Sequence, residues 1–394
     1  MADARIVAIG TAVPPVVLRQ SDVREILLAQ PGLGRVATRL VAAAVDNAAI
    51  ETRYTVIGEF AGEPEPAGLA GPVEPIEPAE TIQRDESAES DAARTAPLFY
   101  DRSTRRLLHP TTGERNAVYV RQSTPLALAA ARRALADAPV RASDITHVIT
   151  VSCTGFFAPG VDYELVTGLG LAREVRRLNI GFMGCHGAFP ALRTAVEACR
   201  ADPAAVVLIV CVELCTLHLR SSEDPDQIVS SAVFGDGAAA AIVAAHPHAG
   251  LRVDALHSVV APDSAEELAW TIGDSGFELT LSSALPRLLG SEIVGALAPL
   301  HPGVALPDVE HWAIHPGGRA ILDRTQQALG LSDAQLAPSR TVLRDHGNMS
   351  SPTVLFVLER ILRTAREGER IVATAFGPGV TVESALLTVD GGAS

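Results

Sequence analysis

The chain has 394 residues, with 32 Lys and Arg against 46 Asp and Glu, a formal charge of −14 and 47% hydrophobic residues. At roughly 100–200 residues per domain this length implies two or three domains or one large two-lobed unit, and the apolar fraction excludes wholesale disorder. An acidic excess with no basic stripe speaks against a nucleic-acid partner, and five cysteines in so long a chain do not make a disulfide framework.

The opening residues, Met1-Ala2-Asp3-Ala4-Arg5-Ile6-Val7-Ala8-Ile9-Gly10, lack the basic start and long apolar run of a signal peptide and read as a short strand entering a glycine turn. No stretch approaches the ~18–20 apolar residues of a membrane span, so the expectation is a soluble, cytoplasmic protein with reduced thiols. A helical stretch follows over about 21–49. Residues 58–97 differ sharply, with Glu63-Pro64-Glu65-Pro66 and Glu74-Pro75-Ile76-Glu77-Pro78. Such composition starves regular structure of backbone donors and predicts a surface insertion.

Thr124-Pro125 reads as an N-cap with Pro at the first helical position, opening an Ala-rich helix. His147-Val148-Ile149-Thr150-Val151 then reads as a buried strand. A helix over about 187–200 puts Ala188, Leu192, Ala195 and Cys199 on one face, and the all-apolar run 206–212 demands a sheet covered on both sides. Gly235-Asp236-Gly237 leads into a strand that closes the first half. The second half repeats the grammar: strand 312–314, helices 320–329 and 351–366, strands 371–375 and 385–389. This is an α/β pattern, in two similar halves at 1–245 and 246–394, and it predicts a layered fold with two sheets.

Three residues stand where chemistry is done. Cys185, in Gly184-Cys185-His186-Gly187, sits at a strand-to-helix turn, where the helix dipole favours thiolate. His315, in Ile314-His315-Pro316-Gly317-Gly318, ends an apolar strand and is expected to be exposed at a sheet edge. Asn348, in Gly347-Asn348-Met349-Ser350-Ser351, lies in a turn entering a helix. Each alone is ordinary; together they fit a nucleophile with its base and an amide donor. His186 is one residue from the thiol but is expected to point elsewhere. Cys211 and Cys215 are four apart, but the first is in an apolar strand, so no metal site is expected. The glycine-rich stretches lack dinucleotide-binding spacing.

These segments resemble the type III polyketide synthases, the chalcone synthase-like branch of the thiolase-fold condensing enzymes. Cys185, His315 and Asn348 match the family's catalytic trio. Phe234-Gly235-Asp236-Gly237-Ala238-Ala239 and Phe376-Gly377-Pro378-Gly379-Val380 match two further blocks, and the resemblance covers about 115–390 together with the N-terminal strand and helix. It implies an αβαβα thiolase-like fold, a homodimer, an acyl-CoA starter and malonyl-CoA extender, and no metal or redox cofactor. Gly317, Gly318, Ser350, Gly377, Pro378 and Gly379 then fall in the substrate-binding blocks. Arg53 and Arg35 become candidates for the CoA phosphates, and Cys153 for the cavity wall. Leu219 and Leu279 fall where plant chalcone synthases place two gatekeeping phenylalanines, which favours an aliphatic starter. Cys153-Thr154-Gly155-Phe156-Phe157-Ala158-Pro159-Gly160 is similar to the bacterial alkylpyrone and alkylresorcinol synthases. Ala375 stands where many members carry Gly, and the 58–97 insertion has no counterpart. A ketoacyl synthase of the acyl-carrier-protein type shares the trio but not the 347–351 and 376–379 blocks. A non-catalytic acyl-CoA-binding homologue would not need an intact trio.

Overall fold

The computed structural model describes residues 3–61, 96–245, 248–282, 284–300 and 309–391. Most of the expected 58–97 insertion lies outside the described residues.

The first strand, β1 (Ala4–Ala12), is followed by a small ladder of β2 (Val16–Arg19) and β3 (Thr52–Thr55) that encloses α1 (Gln20–Leu28) and α2 (Arg35–Asp46). The single helix expected over 21–49 is therefore two. The first helix closes at Ala29; beyond it Pro31 offers no backbone donor and Gly32 takes φ +84, a left-handed conformation that interrupts the run before the second helix. After the short pair β4 (Tyr100–Asp101) and β5 (Arg106–Leu107) comes α3 (Thr112–Asp137). Its start differs from expectation: the cap is a Thr111–Glu114 capping box, and Pro125 sits inside the helix. An interior Pro costs about 3 kcal/mol. Here the buried face of Tyr119, Leu126, Ala127, Ala130, Ala131 and Ala134 outweighs it, each larger apolar side chain contributing about 1.5–3 kcal/mol.

The rest of the first half runs β6 (His147–Ser152), α4 (Val161–Gly168), β7 (Arg176–Gly181), α5 (Ala188–Ala201), β8 (Val206–Leu214), α6 (Pro225–Val233) and β9 (Asp236–Ala245). The second half runs β10 (Gly250–Val260), a hairpin of β11 (Leu268–Gly273) and β12 (Gly276–Leu281), and α7 (Leu285–Leu297). It continues through β13 (His311–Ile314), α8 (Arg319–Leu329), α9 (Asp333–His346), α10 (Thr353–Leu362), β14 (Arg370–Gly377) and β15 (Thr381–Asp390).

Strand order is β13-β14-β15-β10-β1-β9-β8-β6-β7. Read inward from either end, each half places parallel strands outside and antiparallel strands toward the centre. The two sheets expected from sequence are joined edge to edge: β1 and β10 pair antiparallel at Arg5–Arg252 and Ile6–Leu251. Three apolar clusters then build five layers. Helices α5 and α10 lie in the middle, packed on both halves of the sheet through Ala188, Leu192, Ala195, Cys199, Val354 and Leu358. Helix α3 covers the outer face of the first half. Helices α7, α8 and α9 cover the outer face of the second, where Trp312 is fully buried.

Candidate active site

The parallel strands β6, β7 and β8 of one half and β13 and β14 of the other deliver their carboxyl ends to one place, where open α/β sheets leave a crevice for ligands. Cys185 follows β7 in a single 3-10 turn that leads directly into α5. Gly184 makes that turn possible: it takes φ +66, and a Cβ there would stand 2.5 Å from Pro378 Cδ. His315 follows β13, its backbone N–H donating to Thr374 O at 2.8 Å. Asn348 follows Gly347, at φ +68, and is tied on both sides to the 233–235 segment: its N–H donates to Val233 O and its carbonyl accepts from Gly235 N, each at 2.9 Å.

Cys185, His315 and Asn348 line a narrow cavity of about 60 Å³. Asn348 Nδ2 and Oδ1 each lie 3.9 Å from Cys185 Sγ. Oδ1 accepts the Ser350 N–H at 2.8 Å and Nδ2 donates to Gly317 O at 3.3 Å, so the backbone fixes the orientation of the amide beside the thiol. His315 is 1% exposed, a correction to the exposed edge position expected for it. Strand β13 is indeed at the sheet edge, but α9 packs over it. Neither ring nitrogen of His315 has a hydrogen-bond partner among the described residues, in a site where buried polar atoms ordinarily find one.

Electrostatics separate the cysteines. Burial pushes the Cys185 thiol up to about 11, opposed by hydrogen bonds from Ser350 and Asn348. Cys153 and Cys215, in the same cavity, are driven much further up by burial and by the Glu213 carboxylate. Of the three, Cys185 is the one most readily ionised. Burial also holds the His315 imidazolium down to about 3, aided by neighbouring His186, so the resting ring is neutral, with one nitrogen to donate and one to accept.

Sequence reasoning missed Glu213. It is wholly buried at the end of β8 and accepts from Cys153 N at 2.9 Å, Thr154 Oγ1 at 2.8 Å and Ser351 Oγ at 2.6 Å, with Cys153 Sγ at 3.4 Å. Burial raises its pKa against those bonds. The available signal was a lone carboxylate closing an otherwise apolar strand. The cavity's other walls were also missed: Phe234, Leu268, Trp270, Leu281, Leu285, Ile321 and Phe376. Trp270 is anchored by its Nε1–H to Cys153 O at 2.7 Å.

Of the residues expected to bind substrate, Cys153, Leu279, Gly317, Ser350, Gly377 and Pro378 line the cavity, and Gly318 and Gly379 stand next to lining residues without lining it. Leu219 is not among the walls of this cavity; its half-buried side chain packs against the cluster of the second half's outer face. Arg53 is 0% exposed and donates to Ser231 O at 3.0 Å and Phe234 O at 2.6 Å. A guanidinium enclosed this way has no surface to offer a CoA phosphate, which corrects that assignment. Arg35 is exposed on α2.

The chalcone and stilbene synthase N-terminal domain matches residues 102–247, and the C-terminal domain of the same family matches 253–389. The chain is 35% identical over 290 residues to the alpha-pyrone synthesis polyketide synthase-like Pks18 of Mycobacterium tuberculosis, covering 71% of this chain and 74% of that one. Among solved structures it is similar to PKS-I from the brown alga Ectocarpus siliculosus, with a TM-score of 0.85, 28% identity and 99% of each chain covered. It is also similar to the 1,3,6,8-tetrahydroxynaphthalene synthase of Streptomyces coelicolor, a bacterial type III polyketide synthase, with a TM-score of 0.79, 26% identity, and 98% of this chain and 99% of that one covered.

Proposed function

Because the chain belongs to the chalcone and stilbene synthase family, the type III polyketide synthases, we propose that it condenses malonyl-CoA onto a fatty acyl starter held on Cys185 and releases an alkylpyrone-type product. The observation that carries this reading is the convergence of Cys185, His315 and Asn348, from both halves of the chain, on one cavity with leucine, valine and isoleucine walls.

In the proposed sequence, neutral His315 takes the Cys185 proton as Sγ attacks the acyl-CoA carbonyl. The carbonyl–CoA sulfur bond breaks, CoA leaves as its thiol with the proton that His315 took, and the acyl group is left as a thioester on Cys185. Malonyl-CoA then loses CO2, and negative charge develops on its thioester oxygen. His315 N–H and Asn348 Nδ2–H are the donors to that oxygen, and each such donor typically contributes 10²–10³ in rate, roughly 2.7–4 kcal/mol. The enolate carbon attacks the acyl carbonyl, the Sγ–carbon bond breaks, and the lengthened chain leaves on CoA. Further rounds and ring closure onto the terminal thioester give the pyrone with loss of CoA.

The walls support the starter class. Leu268, Leu279, Leu281, Leu285, Val233 and Ile321 offer methyl and methylene surface, and each buried methylene of an alkyl chain is worth about 0.8 kcal/mol. The pyrone follows by analogy with the alpha-pyrone relative. A homodimer is supported by β7, an edge strand whose residues, Leu178 among them, are mostly exposed, with exposed Phe156, Tyr163 and Phe182 outside the strand. The division at 245/246 is supported by the origin of the trio, Cys185 from the first half and the other two from the second. No helix among the described residues is long and apolar enough to cross a membrane.

Mass spectrometry of products from a panel of acyl-CoA starters with malonyl-CoA tests the assignment. Fatty acyl-CoA outcompeting coumaroyl-CoA by kcat/KM is the expected result, and the reverse order refutes the starter class. Malonyl-carrier-protein serving better than malonyl-CoA refutes the donor and returns the ketoacyl synthase alternative.

A further inference from the structure

A second cavity, of about 200 Å³, lies where the end of β1 meets α3, α9 and α10, and shares no lining residue with the Cys185 cavity. Its floor is apolar, with Ala12, Val342 and Phe356 buried. Its rim is cationic: Arg133, Arg360 and Arg363 stand there exposed, in a chain whose net charge is −14. Arg363 is neutralised by Glu359 at 2.6 and 2.9 Å. Arg133 is held by one bond to Thr11 O at 2.6 Å, which fixes its guanidinium without cancelling its charge. Two positive charges, Arg133 and Arg360, thus have no carboxylate bonded to them among the described residues.

The remaining wall is aromatic. The His346 ring stacks on Tyr54 with centroids 5.5 Å apart and packs against Phe356 at 5.1 Å. Its Nδ1 is buried with no hydrogen-bond partner among the described residues. Burial holds the imidazolium down to about 4, so the ring offers a hydrogen bond and not a charge at neutral pH.

We propose that this cavity is a second ligand site, made for a small, flat organic anion. Guanidinium forks pair with a planar carboxylate through two parallel hydrogen bonds, and the ring wall and apolar floor suit an aromatic or conjugated body. The volume sets the scale: pockets for drug-sized ligands run roughly 300–1,000 Å³, so this one takes a molecule of a single ring. A bare phosphate would leave the apolar floor unused.

Isothermal titration of the full chain with benzoate is expected to show one saturable site. Benzyl alcohol, the same ring without the charge, and inorganic phosphate should each bind at least about tenfold more weakly, the scale of a charge-assisted hydrogen bond. Arg360→Gln and Arg133→Gln, both exposed positions, should each weaken benzoate about tenfold. Leu279→Phe, in the Cys185 cavity, should not affect it. The proposal is overturned if benzoate does not saturate, if benzyl alcohol binds as tightly, if both arginine variants bind benzoate like the wild type, or if Leu279→Phe abolishes binding.

Discussion

Replacing Asn348 with Ala separates two jobs that its amide performs. Oδ1 accepts the buried Ser350 N–H at 2.8 Å, while Nδ2 points toward Gly317 O at 3.3 Å and the Cys185 sulfur at 3.9 Å. Truncation leaves the Ser350 donor unsatisfied, which costs about 1–3 kcal/mol of stability. It also removes one of two donors to the oxygen that becomes negative as malonyl-CoA loses CO2, a loss of about 10²–10³ in rate. Because Oδ1 is anchored by backbone, the donor is already oriented before reaction, so the full electrostatic benefit is forfeited. Asn348→Asp distinguishes the two effects: it keeps the acceptor for Ser350 and loses the donor. The expectation is a lowered Tm in the Ala variant, a smaller change in the Asp variant, and slow decarboxylation in both. Radiolabelled CO2 release from malonyl-CoA measures the rate, with intact-mass analysis of acyl loading on Cys185 beside it. A wild-type rate of CO2 release in Asn348→Ala, or acyl loading that falls as far as decarboxylation, refutes the assignment of Asn348 as the enolate's donor.

Cys185→Ala should abolish acyl loading with the fold intact; intact mass showing an adduct on Cys153 or Cys215 would reverse the ranking of the three thiols. Leu279→Phe should shorten the accepted acyl chain because its side chain lines the cavity, whereas Leu219→Phe should leave the chain-length profile unchanged; product mass spectra decide. Arg53→Met should lower stability by about 1–3 kcal/mol by leaving the buried Ser231 and Phe234 carbonyls without their donor, while KM for malonyl-CoA stays at the wild-type value; a raised KM with unchanged Tm would restore a CoA contact. Burial pushes the Asp236 carboxyl up to about 6 from its ordinary 3.8. With a raised folded-state pKa, its contribution to stability is full below about pH 4 and is lost as pH rises through 6, a change of about 3 kcal/mol. Denaturant titrations of the wild type and Asp236→Asn between pH 4 and 7 should therefore differ in slope, and equal slopes would contradict the buried, protonatable carboxyl.

The α/β class, most of the strands and the candidate trio that the structure brings to one cavity were legible in the sequence by itself. Each of these is written locally: apolar runs such as 206–212 need no distant information to be read as covered strands, and the glycines around Cys185 and before Asn348 are demanded by backbone geometry at those very positions. Only the tertiary structure decided exposure and neighbourhood. His315 ends an edge strand in either description, yet whether a helix lies over that edge depends on α9, which follows only after α8 and is placed by packing on Trp312 and Ile314. Arg53 reads as a surface charge until β3 is seen to carry it under the 231–236 segment. Leu219 and Leu279 look equivalent as letters, but Leu279 is carried by the β11–β12 hairpin to the cavity and Leu219 turns away to the outer cluster. Glu213 shows the limit most plainly. A carboxylate after seven apolar residues signals something, but its partners come from the 152–154 segment and from Ser351, brought together only when both halves fold onto α5 and α10. Local periodicity encodes which residues form elements; which side chains share a buried cavity is a property of long-range packing, and no window of sequence contains it.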